Sequence, residues 1–579
     1  MSRKSIKKIQ KKLSAKYGDR VNAELVNRCI RVTGELDKWD DIIDACSIAA
    51  SKYGTIHVVN DIKYTGHDIP KMRMPSLADH ALDNVKTDVL VIGGGISGCA
   101  IARELSKWNL DITLVEKEAD FALQASGRND GEVHIGVDLS KGSLKQKYVL
   151  LGNRMYDTVC NELDVPFRRI GQYACFTQGW LRFPVTLLVL WRKYHDGVTD
   201  ASIMGRKELM EKNPTFHPDI KFAMYNELAG VVCPYGLTIA YAENAAENGV
   251  KAYLNTAVTS MDVQNGKITA VHTNRGTIYP SVVVNAAGVF ADDVAEMAND
   301  RFYSIHPRRG TNSIQDRKSG KLINTIASVQ HISLEKLLKS HTKGGGLIHT
   351  VHDNVLAGPD AVECFEKEDT ATRPESIKTV YDKQKGTVPA VSERDIITYF
   401  TGVRAPTFEE DFVIEWCRNC SNMLHCGGIQ SPGLTAAPAF ALDIEKMVVE
   451  RLKNEKNVER NNSFNPIRHG VPVLKEMSPS ERAEKIAENP DYGVIICRCE
   501  EISKGEIIDA LNRPLCPPTV DAVKKRIRPG MGRCQGGFCS PLVTKIIAEH
   551  EGIPIHDVKK SSAESILVYG ETKGGAAES

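Results

Sequence analysis

Hydrophobic and polar positions alternate along most of the chain with the periods of an α/β protein. The apolar run Thr87–Ile92 has the length of a buried strand, a segment with helical period follows over 99–107, and a second apolar run covers 111–115. Similar alternation continues to about Leu452. This pattern predicts a doubly wound sheet with a second layer inserted into it.

The first 83 residues form a separate unit in this pattern. A stretch rich in Gly and Pro over 65–75 closes the unit as a linker. We predict a small α/β module with no evident catalytic residue. Its expected elements are a helix within residues 1–20, a strand over 29–33, a helix over 39–52 and a strand over 56–60.

The first predicted helix is amphipathic and basic. Its apolar residues, at helical spacing, are Ile6, Ile9, Leu13 and Tyr17, and its cations are Arg3, Lys4, Lys7, Lys8, Lys11, Lys12, Lys16 and Arg20. Such a helix can be a solvated element at the front of a small domain. It can also lie on an anionic membrane or dock on a partner.

The C-terminal part changes character after the main body. A polar stretch over 453–489 predicts a linker with a helix around 480–488, and short helices over 503–511 and 540–549 flank a cysteine-rich segment. The last residues are rich in Gly, Ala and Ser. The expected domains are a module (1–83), a main body (84–452), a linker (453–489), a cysteine domain (490–568) and a disordered tail (569–579).

Composition and charge exclude several classes of protein. The 579 residues are 42% apolar and 25% charged with a net charge of +1, so nothing indicates a nucleic-acid partner. The longest apolar run, Val185–Trp191, is too short to span a bilayer, and the start lacks the apolar region of a signal peptide. We therefore expect a cytoplasmic protein, with the inner face of the membrane as an alternative, whose 15 cysteines are reduced thiols.

A glycine motif follows the strand that opens the main body. In Gly93-Gly-Gly95-Ile-Ser-Gly98 the first glycine permits a tight turn, the second lets backbone amides approach a pyrophosphate, and the third allows close packing of helix and strand. Glu116 ends the next strand, where an acid accepts hydrogen bonds from ribose hydroxyls. The motif predicts a dinucleotide site, and Ile96, Ser97 and Lys117 are expected to line it.

Two close pairs of cysteines mark the C-terminal domain. Cys497 and Cys499 precede Cys534 and Cys539 by a stretch long enough to fold back, which is what a four-ligand iron or zinc site needs. Composition alone does not distinguish the two metals, because thiolates bind both.

A longer series of segments resembles the D-amino-acid-oxidase-type flavoproteins, in the branch of glycerol-3-phosphate dehydrogenase and L-2-hydroxyglutarate oxidase. The C-terminal run Gly530–Cys539 resembles a bacterioferritin-associated-ferredoxin-like [2Fe–2S] module. The fold that these resemblances imply is a Rossmann-like FAD-binding domain with an interleaved α+β substrate domain, whose parts cover roughly 150–240 and 300–400, and a small helical iron–sulfur domain. The matching blocks are 124–129, 133–136, 141–145, 230–235, 284–288, 307–310, 402–404 and 427–435.

The resemblance also implies which residues contact FAD. Ser126 and Asn129 should lie beside the phosphate and ribitol, and the backbone of Val258 should meet the adenine. Glycines in the 428–435 loop would let backbone N–H groups face the isoalloxazine, where negative charge gathers on reduction. The residues expected around this ring are Ala287, Gly288, Gly428, Ile429, Gly433, Leu434 and Thr435.

Substrate chemistry requires a group that holds an anion and a group that accepts a proton. Arg404 fills the slot of the family's substrate arginine, and Arg308 and Arg309 come next, with a structural ion pair as their alternative. The candidates for the proton acceptor are His134 and then His352, and Tyr235 either binds substrate or lines the core. The sequence departs from the family pattern at Asp130, Thr311 and Asn312.

Another group of residues could hold a metal. It consists of Cys417, Cys420, His425 and Cys426, but it runs directly into the flavin loop, and we favour a hairpin turn.

The sequence thus predicts an FAD-dependent dehydrogenase that oxidises a small anionic alcohol, with sn-glycerol 3-phosphate the leading candidate. Electrons would leave through the [2Fe–2S] cluster to a partner protein or a quinone, in a homomeric or heteromeric oligomer. The alternatives are a 2-hydroxy acid such as L-2-hydroxyglutarate, an amino acid or amine as substrate, and a redox-sensing or scaffold subunit without catalysis.

Overall fold

The computed structural model describes residues 3–50, 56–330 and 345–570. The end of the helix predicted over 39–52 and nearly all of the predicted tail lie outside these residues. The helices are α1 (Arg3–Tyr17), α2 (Trp39–Ala49), α3 (Ile96–Leu105), α4 (Leu144–Glu162), α5 (Arg182–Asp196), α6 (Arg206–Lys212), α7 (Pro234–Glu247), α8 (Ala291–Met297), α9 (Pro374–Gln384), α10 (Gly433–Lys453), α11 (Pro479–Glu488), α12 (Lys504–Leu511), α13 (Val520–Ile527) and α14 (Ser540–Glu551).

The strands belong to the N-terminal module, the main body and the C-terminal domain. They are β1 (Val21–Val26), β2 (Cys29–Leu36), β3 (Val58–Tyr64), β4 (Val85–Ile92), β5 (Ile112–Val115), β6 (Glu132–Val133), β7 (Phe167–Arg169), β8 (Gln172–Phe176), β9 (Ala201–Gly205), β10 (Phe222–Asn226), β11 (Gly230–Val232), β12 (Lys251–Tyr253), β13 (Val258–Gln264), β14 (Lys267–Thr273), β15 (Gly276–Asn285), β16 (Arg308–Gln315), β17 (Ile326–Val329), β18 (Gly346–His349), β19 (Val355–Gly358), β20 (Val362–Glu363), β21 (Ile396–Arg404), β22 (Val413–Trp416), β23 (Met423–Gly427), β24 (Ile495–Cys497) and β25 (Ile502–Ser503).

The central sheet of the main body has the predicted Rossmann-like order. Strands β12, β5, β4, β15 and β23 are parallel neighbours, and the β13–β15 meander extends one edge. Helices α3, α7 and α10 pack on one face because their small and aliphatic side chains interlock with those of β4 and β5. On the other face Val294 and Ala298 pack against Leu90 and Val283. The predicted fold class is confirmed.

A second sheet is interleaved with the first. Its strands run in the order β20-β16-β19-β18-β17-β8-β10-β9, and β21 pairs with β16 along its length. They come from chain segments 172–226 and 308–404. Helices α6 and α9 cover one face of this sheet, with Tyr381 and Leu209 fully buried between them. The antiparallel pair β16–β21 carries the candidate substrate arginines.

The N-terminal module is a three-stranded sheet, β1-β2-β3, with α1 and α2 packed on it. The sequence reasoning missed β1, and the apolar stripe of α1 explains how the module folds: Ile9, Leu13 and Tyr17 are buried in its core. The apolar face of α1 is therefore used inside the module. The interpretation as a solvated helix at the front of a small domain is the one that the structure supports.

The described helices include none that is long and apolar enough to cross a bilayer. All 15 cysteines lie within the described residues, and none of them forms a disulfide.

A charged cluster fixes the module on the main body. His57 lies 3.3 Å from Glu409 and 3.3 Å from Glu415, and the backbone N–H of Val58 donates to Glu409 at 2.6 Å. Burial alone would lower the pKa of His57, but hydrogen bonds to both carboxylates outweigh it and raise this pKa to about 9. Phe408 from the main body completes the module's core.

The raised pKa predicts that docking of the module depends on pH. Because the folded-state pKa of His57 lies above its ordinary value of 6.5, the stabilisation is fully present below about pH 6.5 and is lost as pH rises through about 9. Hydrogen exchange at the β3 amides, corrected for intrinsic rates, should show stronger protection in the wild type than in His57→Gln at about pH 6 and equal protection at about pH 10. A difference that stayed constant over this range would contradict the prediction.

Candidate active site

The glycine motif forms the predicted turn between β4 and α3. Gly93 has a φ of +110°, and a Cβ there would lie 2.5 Å from the carbonyl oxygen of Ala286. A Cβ on Gly98 would lie 1.9 Å from the carbonyl oxygen of Gly93, so α3 can approach the strand only with glycine at this position. Gly95 precedes the first turn of α3, whose N-terminal amides and dipole can face a pyrophosphate. Ile96 and Ser97 follow in that turn.

Glu116 is held in place by the turn that it faces. Its two carboxylate oxygens accept hydrogen bonds from the backbone N–H groups of Gly94 at 2.6 Å and Glu118 at 2.8 Å. Burial nevertheless raises its pKa. The carboxylate is thus oriented and desolvated, as a ribose-binding acid must be. Lys117 forms ion pairs with Glu118 and Glu368.

The loop after β5 closes over the start of α3. The hydroxyl of Ser126 accepts a hydrogen bond from the backbone N–H of Ile96 at 2.8 Å, and Asn129 donates to the carbonyl groups of Ala125 and Ser126. Ser126 therefore lies where a phosphate on the helix N-terminus would bind. The direct role of Asn129 in the structure is to shape this loop.

The remaining predicted FAD contacts lie at the carboxyl edge of the central sheet and on its meander. Ala287 and Gly288 follow β15, and Gly428 and Ile429 follow β23, with positive φ angles at Gly288 (+57°) and Gly428 (+64°). Gly433, Leu434 and Thr435 form the first turn of α10, so a helix N-terminus faces the same edge. Val258 is buried at the start of β13.

The two substrate arginines are cross-strand partners but differ in their neighbours. Arg308 on β16 pairs with Arg404 on β21, which puts both side chains on the same face. Arg308 donates to Glu363 at 2.5 Å and to Glu410 at 2.7 Å, so two carboxylates neutralise its charge. The ion-pair alternative is the one that the structure supports for Arg308. Arg309 likewise lies 3.2 Å from Asp369.

Arg404 is the cation that can bind an external anion. It donates from Nη2 to the carbonyl oxygen of Asp360 at 3.1 Å, and within the described residues no carboxylate oxygen lies within 4.0 Å of its guanidinium. Burial lowers its pKa, opposed by the charge of Asp130. A Cβ on Gly310 would lie 2.4 Å from Arg404 Nη2, so this glycine makes room for the guanidinium.

His134 lies beside a carboxylate that the sequence reasoning missed. Its Nδ1 is 2.8 Å from Glu132 Oε1, although the alignment is not that of a good hydrogen bond. Its backbone N–H donates to the hydroxyl of Thr435 at 3.0 Å, which ties it to the flavin loop. A carboxylate near Nδ1 favours the tautomer that leaves Nε2 free as a proton acceptor. The alternating spacing Glu-Val-His on a strand was the signal that could have revealed this pair.

Asp130 lies within electrostatic range of both His134 and Arg404. Burial and the charge of Glu132 raise the pKa of Asp130, while His134 and Arg404 both act to lower it. Strand β21, which ends at Arg404, also contacts this loop, because Arg128 Nη1 donates to the carbonyl oxygen of Thr401 at 3.4 Å. At Asp130 the sequence departs from the family pattern. Thr311 and Asn312, the other departures, lie on β16 and are buried in the second sheet.

Lys145 was also missed, although it lies in one of the matching blocks. It is buried at the start of α4, with its ammonium 3.8 Å from Glu410. Burial lowers the pKa of Lys145 to about 8, opposed by Glu410 and Asp411. Gln430 of the flavin loop donates to Glu410 at 2.8 Å, so the lysine belongs to the same region.

Tyr235 and His352 contact the C-terminal domain. The hydroxyl of Tyr235 accepts a hydrogen bond from Arg528 at 3.0 Å. The carbonyl oxygen of His352 accepts one from Arg317, which also pairs with Glu500. Burial lowers the pKa of His352, and the neighbouring cations, Arg528 first among them, lower it further. The structure therefore places these two candidates at a domain interface.

The four C-terminal cysteines are arranged as two pairs of sulfur atoms. Cys499 and Cys534 are 3.7 Å apart, close to the ~3.8 Å expected for two thiolates on one tetrahedral metal with bonds of about 2.3 Å. The Cys539 thiol, followed by the backbone N–H groups of Gly530 and Glu500, lowers the pKa of Cys497 to about 6. No three of these sulfurs, all on described residues, lie within 4.8 Å of one another. This geometry suits a two-metal cluster better than one zinc ion.

Among the described residues Asp300, Cys417 and His425 form the group whose ligand atoms come within 4.8 Å of one another. Asp300 already accepts hydrogen bonds from the backbone N–H groups of Arg418 and Asn419, both at 2.9 Å, and lies 3.2 Å from His425. The carboxylate thus holds the turn between β22 and β23, as expected for a hairpin.

Comparison with known families decides the wider assignment. Residues 88–447 match the family model "FAD dependent oxidoreductase", which covers more than half of the chain. The chain belongs to this family. Residues 495–549 match the "BFD-like [2Fe-2S] binding domain".

Individual relatives of this FAD-dependent oxidoreductase extend the comparison. The chain is 37% identical to the glycerol 3-phosphate dehydrogenase of Caloramator mitchellensis over 84% of this chain and 99% of that protein. It is 24% identical to anaerobic glycerol-3-phosphate dehydrogenase subunit A1 of Haloferax volcanii, over 83% and 85% of the two chains. The FAD-bound structure of L-alpha-glycerophosphate oxidase from Mycoplasma pneumoniae has 27% identity and a TM-score of 0.60, covering 66% of this chain and 98% of that one.

The geometry of the oxidoreductase fits both of its cofactors. The turn at Gly93–Gly98, the oriented carboxylate of Glu116 and the N-termini of α3 and α10 supply the donors and space that FAD requires. The paired thiols of Cys497, Cys499, Cys534 and Cys539 would supply the four ligands that a [2Fe–2S] cluster requires.

A buried carboxylate joins the two cofactor domains. Glu243 on α7 is fully buried and lies 2.7 Å from Arg468, 2.8 Å from Arg513 and 3.4 Å from Arg526. Burial would raise its pKa, but the three arginines keep this pKa below its ordinary value. Arg526 also binds Asp120 with both terminal nitrogens, at 3.0 and 3.3 Å. The cluster domain is therefore held against the loop that follows Glu116.

Removing the charge of Glu243 should loosen this interface. Loss of one member of a buried ion cluster costs about 3–5 kcal/mol, because the arginines are left buried without their counter-charge. Glu243→Gln should thus raise the population of the opened interface by about 100-fold or more. The rates of hydrogen exchange in α13 and of proteolysis in the 453–489 segment measure this population.

Glu247→Gln is the matched control. Glu247 lies one turn further along α7, is partly exposed and is 3.2 Å from Arg513, so its loss should cost at most about 1 kcal/mol. Equal effects of the two substitutions would show that the buried carboxylate does not hold the domains together.

Proposed function

We propose that the protein is a sn-glycerol 3-phosphate dehydrogenase that oxidises the secondary alcohol of its substrate to dihydroxyacetone phosphate. The placement of Arg404 on the strand that contacts the loop leading to the His134–Glu132 pair carries the proposal, because it brings an anion site near a proton acceptor. The activity named for the Caloramator relative, which matches over nearly its whole length, supports this substrate.

The chain's own residues have separate tasks. The Arg404 guanidinium binds the phosphate of the substrate, and its uncommitted charge fits a dianion. Nε2 of His134 accepts the hydroxyl proton, while the nearby Glu132 carboxylate stabilises the positive charge that the ring gains. FAD, held by the Gly93–Gly98 turn and Glu116, would supply the acceptor for the hydride that leaves the substrate C–H bond as the carbonyl forms, and a [2Fe–2S] cluster would supply one-electron transfer.

The exit for electrons lies at the surface of the C-terminal domain. The Cys499 side chain is exposed, and the loop from Cys534 to Cys539 presents Phe538, which is 83% exposed. Such a surface suits an acceptor that docks on this loop. We propose a partner protein or a membrane quinone as acceptor. We also propose that the protein lies at the inner face of the membrane and forms an oligomer with itself or with other subunits. The relatives named as subunits of an anaerobic dehydrogenase support the heteromeric form.

Anaerobic mixing of the purified protein with single candidate substrates tests the activity. sn-Glycerol 3-phosphate should remove the flavin absorbance, whereas L-2-hydroxyglutarate, glycine and L-proline should leave it unchanged. If L-2-hydroxyglutarate alone removed the flavin absorbance, it would be the substrate instead of sn-glycerol 3-phosphate. No bleaching by any member of the panel would favour a scaffold or sensor subunit.

Substitution of Arg404 should act on substrate binding. Arg404→Lys keeps the charge but loses the paired donors, worth about 1.5–3 kcal/mol, so kcat/KM should fall by about 10- to 150-fold, mostly through KM. Arg373→Lys, at an exposed arginine paired with Asp369, is the control and should change kcat/KM by less than about 2-fold. Steady-state kinetics with a dye acceptor measures kcat/KM of both variants. Similar decreases of kcat/KM in the two variants would show that Arg404 does not bind the substrate.

Substitution of His134 should act on the chemical step. His134→Gln should lower kcat by about 10²- to 10⁴-fold and leave KM nearly unchanged, because a general base contributes about this much. Glu132→Gln should lower kcat less, since the imidazole itself remains. Rates of flavin bleaching in single-turnover experiments report this step, and a His134→Gln enzyme that bleaches at the wild-type rate would contradict the assignment.

A further inference from the structure

Helix α5 has apolar residues on two opposite faces. Val185 and Val189 point inward and pack with Leu181, Phe222 and neighbouring residues of the second sheet. A globular protein normally leaves the other face of such a helix polar. In α5 the other face is apolar as well.

The outward face of α5 and Trp180, two residues before the helix, form an exposed apolar surface, which we call the α5 patch. Phe183, Leu187, Leu190 and Tyr194 follow the spacing i, i+4, i+7 and i+11, and their exposed fractions are 73%, 51%, 44% and 77%. The patch consists of these four residues together with Trp180, Leu188 and Trp191. A contiguous exposed apolar surface of this kind marks a contact site.

The exposed charged residues of α5 itself are cations: Arg182 stands at one end of the helix and Lys193 near the other. Arg192 is largely covered and pairs with Asp196. Lys141 lies 5.7 Å above the ring of Trp191. The acid within the helix, Asp196, is fully buried and pairs with Arg192 and Lys141. The exposed surface of α5 therefore combines aromatic and aliphatic side chains with positive charge.

We infer that the α5 patch docks the protein on the surface of an anionic membrane. An amphipathic helix that lies in the membrane interface has Trp, Phe and Leu on its inserted face and Lys or Arg beside it, with aromatic rings at the level of the headgroups. The patch has this composition, with Trp180, Trp191 and Tyr194 near its ends. The helix is too short to span the bilayer and lies on it.

A second copy of the chain is a poorer occupant of this surface. Two α5 helices packed side by side would bring Arg182 and Lys193 close to Arg182 or Lys193 of the other copy. The helix exposes no carboxylate that could neutralise them, because Asp196 is buried. Anionic lipid headgroups supply the missing counter-charge. Helix α1 is not a competing anchor, because its apolar side packs inside the N-terminal module.

Cosedimentation with vesicles tests the inference on the full-length holoenzyme. The protein should bind vesicles of phosphatidylglycerol and phosphatidylcholine and bind pure phosphatidylcholine at least about 10-fold more weakly. Leu187→Glu/Leu190→Glu should lower binding to the anionic vesicles by at least about 10-fold. Lipids with quenching groups in the acyl chains should reduce tryptophan fluorescence, and Trp180→Phe/Trp191→Phe should abolish this effect.

The control variant is Leu25→Glu/Ile69→Glu. These residues are 45% and 51% exposed, which matches Leu190 and Leu187, and they lie in the N-terminal module and its linker. The control introduces the same charge and should change vesicle binding by less than about 2-fold. Circular dichroism and flavin content verify that both variants are folded.

Three outcomes would overturn the inference: no binding of the wild type to anionic vesicles, equal weakening by the two double variants, or a dimer in solution that Leu187→Glu/Leu190→Glu converts to a monomer. The last result would assign the surface to a second copy. Bleaching of the flavin by sn-glycerol 3-phosphate should be the same in all variants, so failure of membrane docking leaves the proposed reaction standing.

Discussion

The ion cluster around Glu243 is the interaction on which the rest of the structure depends. One buried carboxylate on α7 is shared by an arginine of the linker and two of the cluster domain. A single buried charge is costly, and three arginines around it would repel one another if it were absent. The FAD-binding body and the C-terminal domain have separate hydrophobic cores, and this cluster sets the position of one on the other.

That position matters because α7 and the loop after β5 belong to the FAD-binding body. Asp120 of this loop binds Arg526, and Tyr235 at the start of α7 binds Arg528, two residues further along the cluster domain. Arg528 in turn donates to Glu500, which follows Cys499 in the chain. Polar contacts therefore join Asp120 and Tyr235 of the FAD-binding body to the domain that carries the four cysteines.

The sequence was sufficient where a motif is local. Gly93 and Gly98 directly follow one strand, so backbone geometry explains them. Cys497 with Cys499 and Cys534 with Cys539 are closely spaced pairs, so metal chemistry is the reason to expect cysteine there. The family resemblance supplied Arg404 and His134, and it ranked Arg308 below Arg404. It could not decide between a substrate role and an ion pair for Arg308, because the carboxylates that neutralise Arg308 lie about 55 and 102 positions away.

Long-range packing also explains what the sequence did not show. His352 was the second candidate for the proton acceptor, and Tyr235 was expected either to bind substrate or to line the core. Only the docked C-terminal domain reveals their partners. Glu243 gave no signal within a helix of small and apolar residues. The strand β1 was missed because the chain returns to β2 after a tight turn at Asn27 and Arg28, both with positive φ.

The central claim is that electrons gathered at the FAD site leave through the cluster of the same chain. The direct measurement is anaerobic rapid-freeze electron paramagnetic resonance after mixing with sn-glycerol 3-phosphate, followed in parallel with flavin absorbance. The signal of a reduced [2Fe–2S] cluster should grow after the flavin bleaches, and Glu243→Gln should slow this signal without slowing the bleaching. A bleached flavin beside a cluster that stays oxidised would show that electrons do not leave by this route.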